Sequence, residues 1–201
     1  MQKIDSLDTL LVEQLRDIYD SERRLTKAIP KMVKAATAEE LSSTLESHLA
    51  ETEEQCARLE RAFGMLGEPA RARTCAGMRG IIEEGEEHMA EDYEFDTLRD
   101  AAIIGAAQRA EHYEIAAYGT AIAHARLLGR EDVADLLDQS LAEEKNADEK
   151  LTEVAENCVN VEAMSARSAE DDDEAESGDR PGRSARANGN GARARSTRSR
   201  R

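Results

Sequence analysis

Apolar residues recur every three or four positions along four long stretches of the chain, the spacing of a helix with one buried face. The first stripe runs Leu7, Leu11, Leu15, Ile18, Glu22, Leu25 and Ile29, which predicts a helix from a cap at Asp5 or Ser6 to about residue 36. Pro30 predicts a kink within it rather than an end, because the spacing resumes at Met32 and Val33. The second stripe, Leu41, Leu45, His48, Thr52, Cys56, Leu59 and Phe63, predicts a helix over about 38–66, closed by Gly67 with Pro69 beyond. A third, over about 97–128 and stopped by Gly129, carries Ile104, Gln108, Glu111, Ile115, Tyr118 and Ile122, with Glu114 at the stripe's edge. The fourth, over about 131–157, carries Val133, Leu137, Leu141, Glu144, Asp148, Leu151 and Ala155.

Between the second and third helices, CAGMRGIIEEGEEHMAE is amphipathic but too rich in glycine and acid for a main bundle helix, so a shorter packing helix is expected inside a long connection. Its Glu83, Glu84, Glu86, Glu87 and His88 read as a solvated face, with a metal cluster as the competing reading. HLAETEEQCARL in the second helix and SLAEEKNADEKL in the fourth share a faint repeat, which suggests two related helical hairpins. After about Val161 the periodicity ceases, and an acidic run gives way to a segment rich in Gly, Ser, Ala and Arg. That segment cannot bury enough apolar surface to offset its chain entropy, so residues 1–160 are expected to fold and 161–201 to be disordered. The fold class is all-α: an antiparallel four-helix bundle with an extra short helix between its second and third members.

Charge changes the picture by what it excludes. A net charge of −16 disfavours general nucleic-acid binding by the folded body and favours a cation as partner. Cys56, Cys75 and Cys158 are odd in number and form no CxxC pair, as expected of thiols in a reducing compartment. No run approaches the roughly 18–20 apolar residues of a membrane span, and the N-terminus lacks an unbroken apolar segment, so a cytoplasmic location is expected. The arginines at 180, 183, 186, 193, 195, 198, 200 and 201 look like a nucleic-acid arm, but Glu170, Asp171, Asp172, Asp173, Glu174 and Glu176 compete for them. The expectation is weak, sequence-independent DNA binding that disappears near physiological salt, set against a solvated terminus with no partner.

The stripes are unusual in what they put at their centres. Glu22, Glu111 and Glu144 each lie mid-stripe on a separate helix, Asp148 joins them from the fourth, and His48 with Glu51 comes from the second. No Lys or Arg shares those positions. A lone carboxylate can reach water at the rim of a stripe, and a lone histidine can be a hydrogen-bonded core residue. Several carboxylates at one level of a bundle have no such escape, because each unpaired buried charge costs several kcal/mol, so they must be protonated, hydrated or bound to metal. Carboxylates with one imidazole suit iron or manganese, and two divalent ions balance about four negative charges. Ferritin-like bundles offer one Glu from each of two helices and Glu-x-x-His from each of the other two. Here the second helix offers His48-x-x-Glu51, the reverse order, and the fourth offers Glu144-x-x-x-Asp148 with no histidine.

Four segments in order, LRDIYDSERRL, HLAETEEQCARLERAF, RDAAIIGAAQRAEHYEIAAYGT and LAEEKNADEKL, resemble the YciE/YciF-type proteins of the ferritin-like, rubrerythrin-related superfamily over about residues 4–160. The resemblance implies a ferritin-like bundle with a di-iron-type centre, often a homodimer, in bacterial or archaeal stress responses, with a reaction not settled for the family. It implies Glu22, Glu51, Glu111, Glu114, Glu144 and Asp148 as ligands. Glu111 with Glu114 is also similar to rubrerythrins, which handle peroxide, although no rubredoxin-like module of four cysteines is present.

The resulting expectation is two metal ions per chain, Fe first and Mn as the alternative, bridged by Glu51 and Glu144 and reacting with O2 or H2O2. The protein would then be a small di-iron oxidoreductase, ferroxidase or peroxidase. A non-catalytic, metal-stabilised bundle that dimerises or docks a partner is the reading from a different class. A manganese catalase-like reaction comes third, and iron storage in a shell is disfavoured because nothing specifies cage contacts. Tyr118, one turn beyond Glu114, either fills the core with its hydroxyl satisfied or donates to a ligand carboxylate.

Overall fold

A computed structural model of the chain describes residues 3–166. Its helices are α1 (Leu7–Ala35), α2 (Glu39–Leu66), α3 (Ala76–Ala90), α4 (Asp96–Leu127) and α5 (Glu131–Val154). Their ends have local causes. Ser6 caps α1, its Oγ accepting from the Thr9 N–H at 3.2 Å while Thr9 Oγ1 accepts from the Ser6 N–H at 3.1 Å. Gly67 and Gly129, at φ +71° and +72°, adopt the left-handed conformation that closes α2 and α4. Pro30 lies inside α1, which runs on through it.

Two apolar clusters fix the topology. One joins Leu11 and Leu15 of α1, Leu59 and Phe63 of α2, Tyr118 and Ile122 of α4, and Val133 and Leu137 of α5. The other joins Leu25 and Ile29, Leu41 and Leu45, Ile103 and Ile104, and Leu151. The start of each helix thus meets the end of its neighbours, as in an antiparallel four-helix bundle built from the hairpins α1–α2 and α4–α5. Because α2 ends where α4 also ends, the connection 67–95 must cross the length of the bundle, the single long crossover of ferritin-like folds.

The short helix α3 lies within this crossover, against α4 and α1. The Arg73 N–H donates to the Arg16 carbonyl at 3.0 Å, and the Cys75 N–H to the Asp20 carboxylate at 2.8 Å. Its glycines permit a close approach: a Cβ on Gly77 would stand 2.5 Å from the Tyr113 ring, and one on Gly85 would stand 3.2 Å from the Ala106 Cβ. Glu83, Glu84, Glu86 and Glu87 face solvent.

Beyond α5 the helix widens into a π-helical stretch, Ala155–Val159, and continues over 160–166. It passes the boundary expected near 160 because Val159 is buried in the second apolar cluster and anchors one more turn. The acidic run and the arginine-rich segment lie outside the described residues. Among those residues, no helix is long and apolar enough to cross a membrane, and the three cysteines are free thiols.

Candidate metal centre

The two apolar clusters do not meet without interruption. Between them lies a polar layer made by Glu22 of α1, His48 of α2, Glu111 and Glu114 of α4 and Glu144 of α5, none more than 5% exposed. Each occupies a position where the helical repeat would otherwise place a core residue. His48 Nε2 stands 3.2 Å from Glu111 Oε1 and 3.8 Å from Glu144 Oε2. Two sets of three ligand atoms gather within 4.8 Å, His48 with Glu111 and Glu144, and Glu22 with Glu114 and Glu144. Glu144 belongs to both, which is the arrangement two adjacent cations with one shared carboxylate would need.

Three of the four carboxylates are held at one oxygen, and all four are bare at the other. Tyr118 Oη donates to Glu22 Oε1 at 2.5 Å, Ser21 Oγ donates to Glu114 Oε1 at 2.9 Å, and Gln55 Nε2 donates to Glu144 Oε1. Glu111 Oε1 faces His48. The Oε2 atoms of Glu22, Glu111, Glu114 and Glu144 have no hydrogen-bond donor, and neither ring nitrogen of His48 is aligned for a hydrogen bond. Buried polar atoms are rarely left so, and six of the ten among the described residues lie in this one layer.

The same crowding governs protonation. Burial, with the Glu111 charge adding to it, pushes the Glu22 carboxyl up to about 8 against the hydrogen bond from Tyr118. Burial and the neighbouring carboxylates raise Glu114 and Glu144 well above the ordinary range, and Glu144 lies close enough to Glu111 to share a proton. Burial pulls the His48 imidazole down, but Glu111, Glu51 and Glu144 outweigh it and hold its pKa well above the usual value. Burial and Glu22 push the neighbouring Cys56 thiol to about 12, so it offers no thiolate. Oxygen donors with one imidazole and no thiolate fit iron or manganese, and a cation is an alternative to the protons the layer must otherwise hold.

Two expected ligands lie apart from this layer. Glu51 is 28% exposed at its side chain, with Oε2 3.6 Å from His48 Nδ1, on the outer side of the imidazole. Among the described residues Glu144 belongs to both sets and Glu51 to neither. Asp148 accepts from Gln108 Nε2 at 3.0 Å and lies 3.5 Å from His112 Nε2, outside both sets. The inward face of α5 runs Leu137, Ser140, Glu144, Ala147 and Leu151, which leaves Leu141 and Asp148 on its shoulder. Glu114, expected at a stripe's edge, is fully buried because α1, α3 and α5 all cover α4.

Tyr118 satisfies both of its readings, filling the core and donating to Glu22. Gln55, at the flank of the stripe that runs through Cys56, points inward from α2 in place of the cysteine. The spacing His48, Thr52, Gln55, Leu59 is as helical as the one through Cys56 and could have revealed it. An arginine is also buried one turn along: Arg58 donates to Ser140 and pairs with both oxygens of Glu143, at 2.8 and 2.9 Å.

Comparison with known proteins bears on this geometry. Residues 6–164 match the family DUF892, described as a domain of unknown function. The chain is 40% identical over 159 residues to the protein YciF of Escherichia coli (strain K12), covering 79% of this chain and 95% of YciF. The crystal structure of the E. coli stress protein YciF matches with a TM-score of 0.74 at 39% identity, over 78% of this chain and 99% of that one. YcfI of Rhodopseudomonas palustris, put forward as a structural protein, matches with a TM-score of 0.73 at 44% identity, over 75% and 96%. A Xanthomonas campestris pv. campestris protein at 24% identity shares the fold, with a TM-score of 0.63 over 80% and 98%. Sequence and architecture agree over the whole bundle, and the chain belongs to the DUF892 family, with the stress protein YciF among its relatives.

Proposed function

We propose that the layer holds a pair of transition-metal ions, iron first and manganese as the alternative. On this reading the protein is a di-metal carboxylate oxidoreductase of the stress response, oxidising Fe(II) with O2 or H2O2 or reducing peroxide. The observation that carries the reading is the bare oxygen on each of four buried carboxylates, arranged in two sets that share Glu144. The description of YciF as a stress protein supports the cellular setting.

His48, Glu111 and Glu144 would hold one ion, and Glu22, Glu114 and Glu144 the other. Bound there, such a pair supplies Lewis acidity and one-electron equivalents. The chain does the rest. Tyr118, Ser21 and Gln55 each pin one oxygen of a carboxylate and so orient the other, as groups behind metal ligands do elsewhere. The apolar clusters on both sides keep bulk water from the layer. Glu51 faces His48 Nδ1 from the side away from the layer, so its carboxylate favours the proton on Nδ1 and would leave Nε2 free to hold an ion.

Metal analysis after anaerobic iron loading tests the reading, with about two ions expected per chain and few in a Glu22→Ala, Glu111→Ala double variant. Equal, low iron in both proteins would show that the layer is not a metal site. A second reading, a metal-stabilised bundle without catalysis, is favoured by the near-complete burial of the layer and by the structural role put forward for YcfI. Full metal content with no oxidation of Fe(II) and no consumption of peroxide would select it.

A further inference from the structure

On its α3 side the polar layer borders a cavity whose wall is almost wholly apolar. Ile29 and Met32 of α1, Leu45 of α2, Ile82 of α3 and Ala107 of α4 line it, and His48 and Glu111 stand at its inner end. The centre of a water-sized molecule can range over about 30 Å³ within it. One water needs on the order of 10–15 Å³ by that measure, so the space suits one or two very small molecules. The room is made by short side chains on two helices: Ala28 of α1 and Ala107 and Ala110 of α4 stand where larger residues would fill it, while Gly85 lets α3 close over Ala106. At the outer end, under α3, lies Glu86, which pairs with Lys31 of α1 at 2.5 Å in contact with solvent.

We infer that this cavity is the binding site and route for dioxygen, and that O2 rather than H2O2 is the oxidant the site takes from this side. The inference rests on the proposed function and deepens it by choosing between its oxidants. Hydrogen peroxide carries two donors and several acceptors, and the wall between Glu86 and His48 offers them no partner, so entering strips it of hydrogen bonds. Dioxygen has no such bonds to lose, and voids bounded by aliphatic side chains stay dry and accept apolar guests. The wall ends at His48 and at Glu111, whose Oε2 is one of the bare oxygens, so a guest in the cavity is delivered to the layer itself.

Xenon, an apolar probe of similar size, tests the cavity without any metal. Crystals of the purified protein under xenon pressure should show a xenon atom bounded by Ile29, Met32, Ile82 and Ala107, and its absence overturns the inference. Filling variants, Ala107→Leu and independently Ala28→Leu, should lose the xenon site while keeping the wild-type metal content and melting temperature. In the iron-loaded variants, Fe(II) oxidation by O2 should slow several-fold more than oxidation by H2O2. Equal slowing with both oxidants, or none with either, overturns the assignment. Protein that takes up xenon but binds no iron overturns the metal reading and the choice of oxidant with it, whereas iron-loaded protein that takes up no xenon overturns the cavity alone.

Discussion

Two clusters of buried charge lie on adjacent turns between α2 and α5, and they are built in opposite ways. Arg58 meets both oxygens of Glu143 and the hydroxyl of Ser140, so its charge is neutralised within the chain although its Nε–H lacks a partner. One turn away, Glu22, Glu111, Glu114 and Glu144 face a single imidazole, and each keeps one oxygen without a donor. Gln55 touches both clusters, donating to Glu143 Oε2 at 3.0 Å and to Glu144. Buried charge closed on itself speaks for structure. Buried charge left open speaks for something the chain expects to receive, and the two clusters should respond oppositely to the same perturbations.

The largest effect of a single substitution is expected from the closed cluster. Arg58→Ala leaves Glu143 facing the bundle without its partner, which should destabilise the protein by about 3 kcal/mol, the low end for breaking a buried pair because Glu143 retains some contact with water. Urea unfolding with and without metal checks this, and the loss should be the same in both conditions. A loss below about 1 kcal/mol, the usual worth of an exposed pair, would mean that Arg58 is not structural and that the contrast is wrongly drawn.

The open cluster should respond to metal instead. Fe²⁺ or Mn²⁺ supplied anaerobically at about a hundred times its dissociation constant should stabilise the folded state by about 2.7 kcal/mol for each ion bound. In a domain of this size that raises the melting temperature by roughly 2–4 °C per kcal/mol. Mg²⁺ should do less, since it keeps its waters and the layer offers imidazole and little room. Arg58→Ala should retain the Fe²⁺ response in full. Equal shifts with Mg²⁺ and Fe²⁺ would count against a dedicated site.

How far this contrast could be read in the sequence differs between its two sides. The bundle was legible because stripes such as Leu11, Leu15, Ile18 and Leu25 repeat for seven turns, and Glu22 stood out by interrupting one of them. Glu144 and Glu111 were legible for the same reason. Position around the helix was legible less finely. Stepping by four from Glu144 reaches Asp148 and by three reaches Ala147, and packing against α2 and α4 chose the second. Cys56 and Gln55 posed the same choice on α2, where apolar character favoured the cysteine although the inward residue is the amide that holds Glu144. Arg58 was hidden because its partners, Ser140 and Glu143, lie more than eighty positions away, and no local pattern marks a charge that will be paired at that distance. The cavity beside α3 was equally hidden, since alanine and glycine in a sequence do not show whether a neighbour fills the space they leave.

The response to pH differs between the clusters and so separates them most sharply. In the metal-free protein the Glu22 carboxyl sits at about 8 against an ordinary 4.5, with Glu114 and Glu144 raised as well. Between those values the folded chain holds protons that the unfolded chain has released, so raising the pH favours unfolding. The stabilisation is fully present below the unfolded value and is lost as pH rises through the folded one. His48, also raised, adds in the same direction above its ordinary 6.5, while the lowered Glu51 titrates below this range and leaves the sign unchanged. Each extra proton held gives a slope of about 1.4 kcal/mol per pH unit. Chelator-treated protein should therefore become less stable in urea as pH rises from 5 to 8, and Glu114→Gln, which keeps an acceptor for Ser21, should flatten the slope. Fe²⁺ or Mn²⁺ displaces the protons, so the stabilisation by metal should grow over the same range. Arg58→Ala should lower the whole curve and change its slope little, because Glu143 outweighs burial and keeps that guanidinium charged throughout, and its charge is only a minor influence on Glu22. A flat profile in the metal-free wild type would show that the layer is hydrated rather than protonated, and the difference between an open and a closed cluster would then lie in water and not in charge.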